Sequence, residues 1–178
     1  MREFLMVTPS SYGGRSLVTR VSFSPSQDGL THINAYSKSS TELGRYLSNF
    51  ARTQIMLPNH GTFQSIEGYW YWLGCTHPSK DRLRHLWGFE AKKVGRELGT
   101  TDWPGAQVED FQDHIKAAIR VKLKQNRLGL EMLVASNLPI VHYYWYGEPP
   151  KVTVPDQGKW IWEYYAHLRT ITQQHRSK

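Results

Sequence analysis

Leu47–Gly74 reads LSNFARTQIMLPNHGTFQSIEGYWYWLG: a loop, a short strand and a helix start with one acid among aromatics. Beyond the turn residues Pro58, Asn59 and Gly61, Ile66, Trp70 and Leu73 recur at i, i+4 and i+7, the spacing of one helical face. Ser65 is the expected N-cap, because its hydroxyl can accept from an orphan N–H of the first turn. Glu67 then falls in that first turn, between Phe63 and Tyr71 and beside Tyr69, Trp70 and Trp72. The helix dipole favours its anion and desolvation disfavours it, so the sequence leaves the sign of its pKa shift open. A first-turn Glu ordinarily just complements the dipole; a lone acid ringed by aromatics also describes a pocket for a ring-bearing substrate.

Outward from this stretch, residues 1–30 read as an N-terminal β-hairpin turning at Gly13-Gly14. THINAYS begins a strand in which Ile33 and Ala35 alternate with Asn34 and Tyr36, and TELGR reads as a loop. Pro78 is placed to open a helix over PSKDRLRHLW, and after Gly88 the run FEAKKVGREL reads as another, with Phe89, Val94 and Leu98 apolar. Lys92 and Lys93 read as a solvated face, whereas Arg96, beside Gly95, is the phosphate candidate. The clearest helix is QVEDFQDHIKAAIRVKLKQN, with Val108, Phe111, Ile115, Ile119 and Leu123 in one stripe and a basic, solvated far end that includes Lys122. LGLEMLVAS follows as a short helix. LPIVHYYWYG reads as a strand with Val141, Tyr143 and Trp145 on one side and His142, Tyr144 and Tyr146 on the other, and WIWEYYAHLRTITQQ as the last helix before a frayed basic tail at 173–178. A lone strand histidine such as His142 is more often structural than catalytic.

The 178 residues fit a single domain with a sizeable core, residues 31–172 forming its body. Lys and Arg total 22 against 15 Asp and Glu, a formal charge of +7, which favours a polyanionic or phosphate-bearing partner. Seven Trp and ten Tyr exceed what a core alone calls for and suit stacking surfaces. The one cysteine, Cys75, excludes an internal disulfide and reads as a small buried hydrophobe; with no apolar run long enough to span a membrane, a cytoplasmic protein without membrane partners is expected. Serine-hydrolase, zincin, P-loop, Rossmann and zinc-site spacings are absent, so neither a metal nor another cofactor is expected.

In order along the chain, INAYS, LSNFA, FQSIEGYWYWLG, AKKVGRELG, DWPG, AAIRVKLKQN, LVAS and IVHYYWYG resemble the NADAR superfamily of N-glycosidases, also described as riboflavin-biosynthesis-associated, over most of Ile33–Arg169. The resemblance implies an α+β fold: a single compact, mostly helical domain with a small β-sheet. It implies hydrolysis of an N-glycosidic bond on a phosphorylated ribose, either in ribosylamino-pyrimidine phosphates of the riboflavin pathway or in ADP-ribose attached to guanine in DNA or RNA. The family glutamate falls on Glu67, the S-N-F block on Ser48, Asn49 and Phe50, and the A-x-x-x-G-R block on Ala91, Gly95 and Arg96. The chain departs from many members in having Gly74 where they carry lysine, and it lacks the Trp-Gly-Asp loop of one branch. It looks closer to a branch whose His-aromatic-aromatic-x-Tyr-Gly segment matches His142, Tyr143, Tyr144, Tyr146 and Gly147.

Such a cleavage builds positive charge on the ribose carbon. Glu67 is therefore expected to face that charge and to orient or deprotonate water, with Glu148 or Asp156 as a second acid. Tyr36, Phe50 and Trp70 would hold bases, and Arg96 the phosphates. Ser48, Asn49, His142, Tyr144 and Gly147 complete the expected substrate contacts. A module that only binds ADP-ribose or nucleic acid is the non-enzymatic alternative.

Overall fold

The computed structural model describes residues 23–155 and 157–177. The hairpin expected over residues 1–30 lies outside them as far as residue 22; from there a 3-10 turn spans Pro25–Gln27. The elements that follow are β1 (Ile33–Asn34), α1 (Glu42–Leu47), β2 (Ile55–Leu57), β3 (Gly61–Phe63), α2 (Ile66–Gly74), α3 (Gly88–Glu97), α4 (Phe111–Gln125), α5 (Arg127–Ala135), β4 (Ile140–Val141), β5 (Tyr144–Tyr146), β6 (Lys151–Thr153) and α6 (Lys159–Arg176). This is a mostly helical α+β domain. Its strands form three separate pairs: β1 beside β4 in parallel, and the antiparallel hairpins β2–β3 and β5–β6.

Helix α2 forms where its signals place it. Ser65 Oγ accepts from Gly68 N at 2.9 Å, and Ile66, Tyr69 and Trp70 are buried in the core. Around it pack Phe63 and Ile55 of the first hairpin, Leu83 of a 3-10 turn at Lys80–His85, and Ile115 and Ile119 of α4, with Leu133 of α5 and Ile161 and Tyr165 of α6 in the same cluster. Burying one such aliphatic side chain is worth ~1.5–3 kcal/mol, so the stripe of α4 accounts for its docking. Cys75, just past α2, is buried as expected.

The fold departs from the sequence reading at identifiable places. TELGR is not a loop: Thr41 caps α1 through Gly44 N at 2.9 Å. Gly44 is tolerated inside that helix because a Cβ there would lie 2.4 Å from Asn34 O, so its absence lets α1 sit against β1. THINAYS does not alternate, since His32, Ile33, Asn34 and Ala35 are all buried, as in a strand covered on both faces. The aromatic run breaks between β4 and β5, because Tyr143 leaves the ladder to exchange hydrogen bonds with the Asn34 side chain at 3.1 Å. Phe89 is exposed, and the end of α6 runs through the expected tail to Arg176, which meets Glu131 at 2.7 Å.

Lys122 is the largest departure. Far from solvated, it is 1% exposed and donates from Nζ to Tyr46 O and, at 3.1 Å, to Ser48 O. It thereby satisfies carbonyls at the C-terminal end of α1 that have no partner within the helix. Burial pushes its pKa down to about 7.

Candidate active site

Residues Glu67, Trp70 and Tyr71, at i, i+3 and i+4 of α2, project into one cleft of about 260 Å³. Its rim is the Ser48–Asn49–Phe50 loop, held to α2 by a hydrogen bond from Glu67 N to Asn49 O at 3.0 Å. Ser48 Oγ accepts from Phe50 N at 3.2 Å, so its hydroxyl shapes this loop. The aromatic wall comes from Tyr36, His142, Tyr144 and Trp162, with Trp162 4.3 Å from the His142 ring and Tyr144 edge-on to Tyr36 at 5.4 Å.

The Glu67 side chain is buried, and its carboxyl makes no hydrogen bond to protein among the described residues. Desolvation pushes its pKa up to about 8, against the pull of Lys92. Desolvation thus wins over the helix dipole, and the protonated form is favoured at neutral pH, a sign the sequence left open. On the same rim, the Oδ1 of Asn49 is buried with no hydrogen-bond partner among the described residues.

Asp102 supplies the fixed negative charge. Its Oδ1 accepts from Tyr71 Oη at 2.6 Å and Arg96 Nε at 2.7 Å, and its Oδ2 takes Arg96 Nη2 and Lys92 Nζ, the latter at 3.1 Å. The Arg96 guanidinium, helped by the other donors, holds this carboxyl far below the usual carboxylate range. The Nε1–H of Trp70 donates to the backbone oxygen of Asp102 at 3.0 Å, pinning the loop to α2. Lys92 reaches the cleft because α3 lies close on α2: a Cβ on Gly95 would meet the Tyr71 ring at 2.2–2.3 Å. Gly95 thus serves helix packing rather than a phosphate.

Of the residues singled out from sequence, the cleft gathers Tyr36, Ser48, Asn49, Phe50, Glu67, Trp70, His142 and Tyr144. Arg96 stands outside it, bound to Asp102, and Gly147 lies in the exposed turn between β5 and β6 and does not line it. Glu148 is exposed and also outside, and Asp156 lies outside the described residues. Lys92, read as solvated, lines the cleft, and Asp102, inside the quoted DWPG block but not singled out, is the second acid present. His142 is structural and cleft-lining at once: its Nδ1–H donates to Ala35 O at 2.9 Å, and burial pushes its pKa down to about 4, so the ring is neutral with Nε2 unprotonated.

The site is thus a buried carboxyl, its pKa raised by desolvation, in an aromatic-walled cleft of a helical α+β domain. No family model and no curated protein matches the sequence. Among solved structures the chain is similar to the E. coli protein YbiA, determined by NMR, with a TM-score of 0.56 and 16% identity over 84% of this chain and 92% of that one. At that identity the likeness is one of fold, and the YbiA-like, NADAR-type fold implied by the sequence resemblance is the fold of this chain. Among the described residues, no helix is long and apolar enough to cross a membrane.

Proposed function

We propose that the protein is an N-glycosidase acting on a phosphorylated ribose, and that its substrate is ADP-ribose attached to guanine in nucleic acid. The observation that carries the reading is the Glu67 carboxyl, buried in the cleft with no hydrogen-bond partner among the described residues, where desolvation pushes its pKa up to about 8. As the bond from C1′ to the base nitrogen breaks, its electron pair goes to that nitrogen, which takes the Glu67 proton. Positive charge left on C1′ and the ring oxygen then faces the newly formed Glu67 carboxylate, with the Asp102 charge behind it. Water adds to C1′ and returns a proton to Glu67, so the acid ends as it began. The aromatic wall of Tyr36 and Tyr144 stacks the departing base. The surplus of basic residues favours a substrate held in a polyanion over a small free metabolite.

The test offers the purified protein an ADP-ribosylated guanine oligonucleotide and, separately, a ribosylamino-pyrimidine phosphate. Release of ADP-ribose from the oligonucleotide, lost in Glu67→Gln, is the expected result. Release of the pyrimidine alone moves the substrate to the riboflavin-type class. Binding of ADP-ribose with no base released from either conjugate overturns the glycosidase reading.

A further inference from the structure

The cations at the cleft are already engaged. Among the described residues lining the cleft, Lys92 is the one lysine or arginine, and it is held with Arg96 on Asp102 rather than turned free toward a phosphate. At about 260 Å³ the cleft lies below the ~300–1,000 Å³ common for small-molecule sites, room for a ribose and one attached ring, so the outer groups of a nucleoside diphosphate ribose must lie beyond it.

A second depression begins where the cleft ends. Ser37 and Phe50 line both, so the two adjoin across this shared rim, and beyond it stand Arg45 and Arg52. Arg52 is exposed and lies with its guanidinium carbon 4.1 Å from the centroid of the Trp87 ring. It has no carboxylate or carbonyl partner among the described residues. Stacking fixes the guanidinium plane while its N–H fork stays free, the arrangement that takes two phosphate oxygens at once. Arg45 is anchored through Nη1 to Ser39 O at 2.9 Å and Ser40 O at 3.1 Å, with its remaining N–H donors open. Glu42 borders the same depression, so two guanidiniums stand against one carboxylate.

The geometry points to this Arg45–Arg52 shelf as the seat of the substrate's phosphate or diphosphate arm, an inference that rests on the glycosidase reading above. The ribose carbon sits at Glu67, the arm crosses the Ser37–Phe50 rim, and Arg52 grips its outer phosphate. The role assigned to Arg96 from sequence passes to Arg52, while Arg96 positions Asp102.

The experiment titrates ADP-ribose into wild type, Arg52→Ala and Arg52→Glu by calorimetry, and compares kinetics on phosphorylated and phosphate-free ribosyl conjugates. Arg52→Glu is expected to raise the Kd for ADP-ribose about 10- to 100-fold, with Arg52→Ala between it and wild type. It should raise KM for the phosphorylated conjugate alone and leave kcat within about twofold. Because Arg52 is exposed, all three proteins should melt together. An unchanged Kd in Arg52→Glu, or a wild type that does not bind ADP-ribose, overturns the shelf. A wild type that binds ADP-ribose through Arg52 yet releases no base keeps the shelf and removes the glycosidase reading; base release with KM untouched by Arg52→Glu does the reverse.

Discussion

Asp28 and Glu67 are buried to the same 8% exposure, in opposite company. Asp28 Oδ1 accepts from Asn34 N at 2.8 Å, and its Oδ2 from Ser39 Oγ at 2.7 Å and Ser40 N at 2.8 Å, so every direction is met by the chain that leads into α1. Glu67 receives no hydrogen bond at its carboxyl from the described residues, and desolvation raises its pKa instead. Burial alone therefore does not mark a functional acid. What separates the two is who supplies the hydrogen bonds: the fold at Asp28 and, on the proposed function, the substrate at Glu67.

The largest effect that would break this contrast is kinetic. Glu67→Gln should lose ~10²- to 10⁴-fold in base release without a drop in melting temperature. Asp28→Ala should do the opposite: two buried donors and the part-buried Ser40 N lose their acceptor, for a loss of roughly 2–4 kcal/mol in urea unfolding, while each molecule that remains folded keeps its turnover. An Asp28→Ala protein as stable as wild type would dissolve the comparison.

The pH dependence of stability sharpens it. Glu67 rises from the ordinary 4.5 to about 8 in the folded state, so the folded chain holds the extra proton between those values. Its stabilising contribution is complete below about 4.5 and is lost as pH climbs through about 8. Measured by denaturant titration, wild type should lose stability relative to Glu67→Gln across that interval, on the order of 2–4 kcal/mol, and run parallel to it above. Lys122 has the other sign. Its pKa falls from 10.5 to about 7, the unfolded chain holds more protons between the two, and wild-type stability should rise with pH there. In Lys122→Met that rise should vanish; at pH 9 the variant should be less stable than wild type by ~1–3 kcal/mol, because Met leaves the Tyr46 carbonyl without its donor.

How much of this was legible in the sequence follows from the range of each interaction. Helix α2 and its cap were readable because Ser65, the turn before it and the apolar spacing are all local. The cleft-lining loop and aromatic wall were reached through the resemblance, which carried Ser48, Asn49, Phe50, His142 and Tyr144. Asp102 and Lys92 were not, since their meeting depends on how closely α3 lies on α2, and Gly95 sets that distance only against a Tyr71 ring fixed by tertiary packing. The Lys122 signal was present but outweighed by its charge: Ile115, Ile119 and Lys122 stand at i, i+4 and i+7, on the buried face. For α1, Thr41 followed by Glu42 was a usable start signal, masked by Gly44, whose cost in a helix is offset by an approach of β1 that no local pattern encodes.

The central claim is that Glu67 holds a proton and hands it to the departing nitrogen. The most direct measurement is the pH profile of kcat/KM for base release from the ADP-ribosylated oligonucleotide. The account predicts a value flat below pH 8 that falls about tenfold per unit above it, as the free protein loses the Glu67 proton. A kcat/KM that climbs with pH through 8 would mean the working form is the anion, and would contradict it.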